Sequence, residues 1–235
     1  LLDKGKLTSA AIDNFQKALE LRPDYAEAYN NMGIAQQDEG KIDAAIDSYQ
    51  RALRLRPDYD QAYVNVGGLL GSIRFTKPVP GLENTIFELL RRKTFVNPND
   101  IAVATTSLLK LNPAMIKALG FVSETPRYPL LASTIRMLSN IPLFVELMNV
   151  SLIPDLEMEA LLKIIRSEIL FNYVKLLDDE DILSFCSALA LQCFTNEYVY
   201  SQSVSEENAL YSLEQSVETL LENGQQPAPL SIACL

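Results

Sequence analysis

The sequence predicts an all-α protein: a short solenoid of helical hairpins followed by an irregular all-helical domain. Three observations carry this. One phrase, "ALELRPDYAEAYNNMG" at residues 18–33, returns as "ALRLRPDYDQAYVNVG" at residues 52–67, an offset of 34 residues. Helix-period apolar stripes then continue to the end of the chain without that repeat. Strand signals, such as short alternating β-branched runs bounded by turns, are lacking.

The offset aligns Ala11 with Ala45, Phe15 with Tyr49, Ala18 with Ala52, Leu19 with Leu53, Pro23 with Pro57, Ala28 with Ala62, Tyr29 with Tyr63 and Gly33 with Gly67. A fixed period of this length marks a helical solenoid. Pro23 and Pro57 end one helix and open the turn to the next. Ala11 and Ala45 are small where two helices approach closely, and Gly33 and Gly67 admit contact from a neighbouring helix. Tyr29 and Tyr63 fill the space between helices. Gly40 stops the first helix (A) of a hairpin, and Ile42 begins the second (B). Residues 8–21 then supply a B helix, 24–57 one complete repeat, and 58–73 a further A helix.

The motif resembles the tetratricopeptide repeat. With Ala26 as first position, Tyr29, Met32, Gly33, Ala45, Tyr49, Ala52 and Pro57 fall on that repeat's signature sites, and Tyr63 and Gly67 repeat two of them. The resemblance covers residues 1–73. It implies a protein-interaction module whose A helices line a groove for an extended peptide. Asn31 and Asn65, each two residues before the repeat glycine, face that groove, with Glu27, Asn30, Gln61 and Val64 beside them. An amide can serve both N–H and C=O of a peptide. The pair resembles the asparagine ladder of the O-GlcNAc transferase repeats. Repeats that clamp a C-terminal carboxylate carry lysine or arginine in the groove. These positions have none, so that mode is not expected.

The pattern breaks at "IRFTKPVPG", residues 73–81, where Pro78, Pro80 and Gly81 interrupt it. The expected division is a repeat segment over 1–75 and an all-helical connector over 76–235. Helices are expected at 82–93, 98–110, 113–120, 128–139, 142–149, 155–177, 179–200 and 205–222, with a start at 228. The stripe of Leu156, Met158, Leu161, Leu162, Ile165, Ile169, Leu170 and Tyr173 is the strongest. Ser205-Glu206-Glu207 is expected to cap the helix at 205–222, and Gly224 to end it. The chain starts at Leu1 and ends in "APLSIACL"; both ends read as cut, the connector running off its C-terminus.

The phrases at 74–78 (Arg-Phe-Thr-Lys-Pro), 101–115 (IAVATTSLLKLNPAM) and 188–200 (ALALQCFTNEYVY) resemble bacterial proteins that join such repeats to a class I methyltransferase domain. That implies an alternative: this chain positions substrate for an S-adenosylmethionine-dependent enzyme whose catalytic part is not in it. No acidic-Gly-x-Gly loop follows a strand. "VGGLLG" at 66–71 lies in a repeat helix and reads as packing.

Composition excludes several chemistries. There is no histidine, so Ser-His-Asp and Cys-His catalysis and His-ligated metal are absent. The net charge of −10 is uneven: residues 1–75 carry 9 basic and 11 acidic groups, 76–154 carry 8 and 5, and 155–222 carry 3 and 14. Nucleic acid is a poor partner for such a surface. The basic run Arg91-Arg92-Lys93 reads as a solvated helix end. Cys186 and Cys193 lie seven residues apart on one helix, too far to bond each other; they read as core packing. The odd, sparse set with Cys234 suggests a reducing compartment, the cytoplasm. Asp178-Asp179-Glu180-Asp181 reads as a helix start rather than a cation loop. Thr195–Tyr200, with Asn196 and Glu197, reads as a cap network. No run is long enough to span a bilayer. No enzyme activity, cofactor or metal is expected of this chain. Exposed helix faces could let the repeats self-associate.

Overall fold

A computed structural model describes residues 2–92, 94–123, 128–172, 180–195 and 203–228. These hold α1 (Leu2–Leu21), α2 (Ala26–Asp38), α3 (Ile42–Leu55), α4 (Asp60–Leu70), α5 (Leu82–Arg92), α6 (Pro98–Leu109), α7 (Pro113–Gly120) with a 3₁₀ turn (Phe121–Ser123), α8 (Tyr128–Ser139), α9 (Pro142–Val150), α10 (Leu156–Asn172), α11 (Glu180–Thr195) and α12 (Val204–Glu222), and no strand among the described residues. Two compact units divide the chain. The first holds residues 1–74 and 79–104, the second 75–78 and 105–235. The first unit thus also takes in residues 79–104, which the broken repeat pattern assigns to the connector.

In the first unit, α2 and α3 form the complete hairpin, α1 packs on α2, and α4 packs beside both α2 and α3. Gly33 sets the closest approach. A Cβ there would lie 2.6 Å from the Tyr49 ring, which is wholly buried. The Tyr49 hydroxyl donates to Gln37 Oε1 at 2.9 Å, and Ser48 donates to Gln36 Oε1 at 2.7 Å. Burial, then the Asp38 charge, pushes the Tyr49 phenol up to about 12, so it stays a donor at any ordinary pH. The hairpin turn is a Schellman stop: Lys41 N–H reaches Gln36 C=O, Gly40 N–H reaches Gln37 C=O, and Gly40 has φ 74°. The repeated "LRPDY" has a local cause as well. Arg22 lies 4.8 Å over Tyr25, and Arg56 lies 4.7 Å over Tyr59, each across the turn that the proline opens.

Beyond α4 the repeat signature stops, but the packing does not. The 3₁₀-free stretch 71–81 replaces the short α2–α3 turn, and Gln50 of α3 donates to Pro80 C=O at 3.2 Å to hold it. Leu89 of α5 and Val96 from the following turn then cover Gly67; a Cβ there would meet Val96 at 3.1 Å. Phe95 stacks on Tyr63 with centroids 5.9 Å apart. Arg92 lies 4.4 Å over the other part of that site, the Tyr63 ring, and donates to Pro57 C=O at 2.9 Å. This corrects the reading of the basic run as a solvated end: Arg91 is exposed, but Arg92 turns inward, because an aromatic face and an open carbonyl lie within its reach. Lys93 lies outside the described residues. Helix α1 starts at Leu2 rather than at residue 8, since extending a formed helix costs less than nucleating one.

The second unit is built on α8, α9, α10 and α11, with Ile135, Leu138, Phe144, Leu147, Met158, Leu162, Ile165 and Phe185 in its core. Phe144 and Phe185 meet at 6.3 Å. Asn112 caps α7 by accepting from Ala114 N–H at 3.0 Å, ahead of Pro113. Asp155 opens α10, accepting from Met158 N–H at 3.0 Å and from Lys110 Nζ at 2.9 Å; Glu157 pairs with the same lysine. Cys186 is buried beside Phe185, Ala188 and Leu189 on α11, and Cys193 is half-buried, its thiol pushed up by burial against the opposing charge of Arg166.

Helix α12 rests on α10 through a small cluster of Leu170, Leu213 and Val217. Its cap is Ser203, not the expected Ser205. Ser203 stands three residues before Glu206, the spacing a reciprocal capping box requires, and both bonds of the box are present. The buried Glu206 also receives Arg166 Nη2 at 3.1 Å. Gly224, φ 70°, ends the helix as expected. Tyr173, Asp178, Asp179, Asn196, Glu197, Cys234 and the helix expected after 228 fall outside the described residues.

Two outcomes follow from this packing. Gly33→Ala gains helix propensity of about 1 kcal/mol but drives a methyl into a ring with nowhere to go. A net loss of about 2 kcal/mol is expected, read as a lower urea midpoint at unchanged slope. For Glu206, burial acts to raise the pKa, but Ser203, Ser167 and Arg166 outweigh it and hold the carboxyl below its ordinary 4.5. Its contribution is therefore full above that value and is lost as pH falls through the lowered one. Glu206→Gln should cut amide-exchange protection in α12 at neutral pH while α9 and α11 keep theirs. A variant with unchanged α12 protection would show that the apolar cluster alone holds the helix.

Candidate functional site

The exposed arc of α4 carries Gln61, Val64, Asn65 and Gly68, spaced i, i+3, i+4, i+7, so they share one face. On α2 the matching arc carries Glu27, Asn31, Ile34 and Asp38. The opposite faces bear Ala28, Met32, Ala35, Ala62, Val66 and Leu69 and go into the core. The pattern of small and apolar residues toward the B helices thus leaves a mainly polar strip on the A helices.

The amides on this strip do not all stand free. Asn30 is 1% exposed, and its carbonyl oxygen accepts from Asn65 Nδ2 at 2.8 Å, tying α2 to α4. Asn30 Nδ2 in turn reaches Asn31 Oδ1 at 3.4 Å, and Gln61 Nε2 reaches Asn65 Oδ1 at 3.3 Å. The four side chains form a relay in the order Gln61, Asn65, Asn30, Asn31. The 34-residue offset pairs Asn31 with Asn65, but the bond across the helices comes from Asn30, one position earlier. Asn31 is the exposed end of the relay, where its Oδ1 accepts.

The charged groups on the strip are two acids, Glu27 and the exposed Asp38. Glu27 pairs with Arg56 of the α3–α4 turn, and that hydrogen bond holds the Glu27 carboxyl below its ordinary value. The aliphatic part is Ile34, 40% exposed, and Val64, 42% exposed. Arg56 was not legible as a site residue, since its twin Arg22 has Asp24 at 3.8 Å instead. Of the signature residues, Gly33, Ala45, Tyr49 and Ala52 lie in the α2–α3 packing, Tyr29 packs on the cluster of Ile12, Leu19 and Met32, Tyr63 and Gly67 meet Phe95 and Val96, and Pro57 is exposed in the turn before α4. Tyr29 is half-buried under Arg51 at 5.9 Å, and Pro57 supplies its carbonyl to both Tyr63 and Arg92. Residues 66–70 of "VGGLLG" are helical within α4, as expected, and Gly71 is its C-cap.

Among the described residues no group of three or more acidic or cysteine side chains could hold a metal, and no helix is long and apolar enough to cross a membrane. Leu7 and Leu21 of α1 are 73% and 90% exposed, with the exposed Asn14 and Lys17 between them.

Removing the cross-helix bond should be costly, because Asn30 has little access to water. Asn65→Ala is expected to lower stability by about 1–3 kcal/mol. A double-mutant cycle of Asn30→Ala and Asn65→Ala in urea should show a coupling near 1 kcal/mol; additive losses would mean that the 2.8 Å contact contributes nothing specific.

Residues 26–59 match the family model of the tetratricopeptide repeat, and residues 1–39 match a second model described as TPR repeat. No curated protein and no solved structure matches the chain. The methyltransferase resemblance of the later phrases gains no support from these comparisons. Helices α1–α3 thus lie in stretches that match the tetratricopeptide repeat, a class of repeat that generally mediates protein–protein interaction, and α4 lies beyond both matches.

Proposed function

We propose that the α2–α4 strip binds an extended segment of a partner protein, without catalysis by this chain. The observation that carries the reading is an exposed strip that combines unspent amide donors with aliphatic surface. Asn31 and Gln61 end the relay with hydrogen-bonding capacity to spare, and Ile34 and Val64 stand beside them. A peptide main chain presents alternating N–H and C=O groups, and a carboxamide offers both complements. The strip does not suit an acidic segment. A carboxylate would meet Asp38 on it, and the flanking arginines are paired, Arg56 with Glu27 and Arg22 with Asp24.

The test uses a random peptide library displayed on phage and selected against the whole chain. Enriched peptides should lack acidic residues in their middle. Their affinity, measured by fluorescence anisotropy, should fall about tenfold in the Asn31→Ala/Gln61→Ala variant. Both positions are exposed, so the variant should keep its fold. Peptides that bind the variant equally well would place binding elsewhere and sink the reading.

A further inference from the structure

The chain holds a single Asn-Gly pair, Asn223-Gly224, and it stands where α12 ends. An asparagine amide is chemically labile. The backbone nitrogen of the next residue can attack the side-chain carbon Cγ, and glycine, without a Cβ, leaves that approach open. The N–Cγ bond forms, the side-chain nitrogen leaves as ammonia, and a five-membered imide results. Water then opens the imide at either carbonyl, giving aspartate or isoaspartate. The conversion uses water alone.

The fold guards this pair in two ways. Gly224 N–H donates to Leu221 C=O at 3.0 Å and Gln225 N–H to Leu220 C=O at 2.8 Å, a complete Schellman pair with Gly224 at φ 70°. The attacking nitrogen must lose the proton that the first of these bonds holds. Asn223 also has ψ 4°, which turns that nitrogen away from its own side chain. Closing the ring needs a rotation about Cα–C that breaks the pair. The guard is weakly anchored. Between the buried Val217 and Pro227 only Leu220 is even half-buried, and α12 itself rests on the small cluster of Leu170, Leu213 and Val217. A helix end with few buried contacts opens at low free energy.

We infer that Asn223 is a deamidation site gated by the last turn of α12, converting when that turn opens and favouring the open turn afterwards. The product adds a carboxylate to a helix C-terminus that already carries Glu218 and Glu222, where the helix dipole disfavours negative charge. Isoaspartate also adds a methylene to the main chain, which takes Gly224 and Gln225 out of register with Leu221 and Leu220. The modification is a one-way switch on the exposed end of α12.

The test incubates the whole chain in mildly alkaline buffer, native and urea-unfolded. Peptide mass spectrometry follows residue 223, and chromatography separates aspartate from isoaspartate. Conversion should be about tenfold slower in the native chain than in urea. Val217→Ala removes a buried anchor, and Gln225→Pro removes one bond of the pair at an exposed position. Each should convert faster than wild type when native, and close to the wild-type rate in urea. Asn223→Asp, which carries the product charge, should lose amide-exchange protection at Gly224 and Gln225 while α9 and α11 keep theirs. Equal rates in native and unfolded chains, or native variants no faster than wild type, would show that the turn is no gate and overturn the inference. So would a native chain whose Asn223 stays intact through many lifetimes of the unfolded chain's amide. Unchanged protection in Asn223→Asp would overturn the switch.

Discussion

The approach of Tyr49 to Gly33 is the constraint on which the repeat geometry rests. Tyr49 is wholly buried and hydrogen-bonded at its tip, so the ring is fixed from both ends. With the ring fixed, α2 can lie in one place on α3, and the face that α2 turns outward follows from it. Ser48 and Gln36, buried together, secure the same rotation one turn away. Interior packing of this density tolerates little adjustment. The position of Asn31, Ile34 and Glu27 on the exposed side is thus a consequence of a contact on the opposite side of the same helix.

The amide relay adds a second register pin. A buried side-chain amide without a partner is costly, and Asn30 can be satisfied only when α4 presents Asn65 to it. The interaction specifies the lateral position of α4 relative to α2 as well as stabilising it. The polar strip is therefore rigid at its centre, where Asn30 and Asn65 are spent on each other, and adaptable at its ends, where Asn31 and Gln61 are exposed. Preordering the centre lowers the entropy lost on binding.

The architecture of α1–α4 was legible because the repeat gives position-by-position equivalence: a tyrosine, a glycine and a proline at fixed offsets imply the same turn and the same crevice twice. The helices of the second unit were legible from their stripes, with starts within a residue of those expected, while the ends expected at 177 and 200 lie outside the described residues; Ser203 was missed as the α12 cap because the nearer Ser205 also precedes acidic residues. What the sequence did not show was how packing continues after the signature ends. Val96 and Leu89 fill the crevice at Gly67 that Tyr49 fills at Gly33, yet no spacing rule links them to it, since the intervening segment 71–81 has a length of its own. The relay was half legible. The candidate residues were the right amides, but an offset of 34 pairs like with like, whereas the bond joins Asn30 to Asn65 across unlike positions.

That difference generalises within this chain: identical letters do not carry identical duties. Arg22 and Arg56 stand in the same phrase and lie over the same kind of tyrosine. Only Arg56 also reaches a neighbouring A helix, through Glu27, while Arg22 has the local Asp24. The shared duty is intrinsic to the turn and needs nothing beyond the phrase itself. The unshared duty depends on the element stacked alongside. A repeated phrase therefore encodes its own turn completely and its stacking only in part. Residues such as Arg92, outside the phrase, can take over a stacking role when a ring and an open carbonyl come within reach. Local repetition and global continuity are separate constraints here, and the repeat segment can pass into unrepeated helices without leaving its last tyrosine, Tyr63, uncovered.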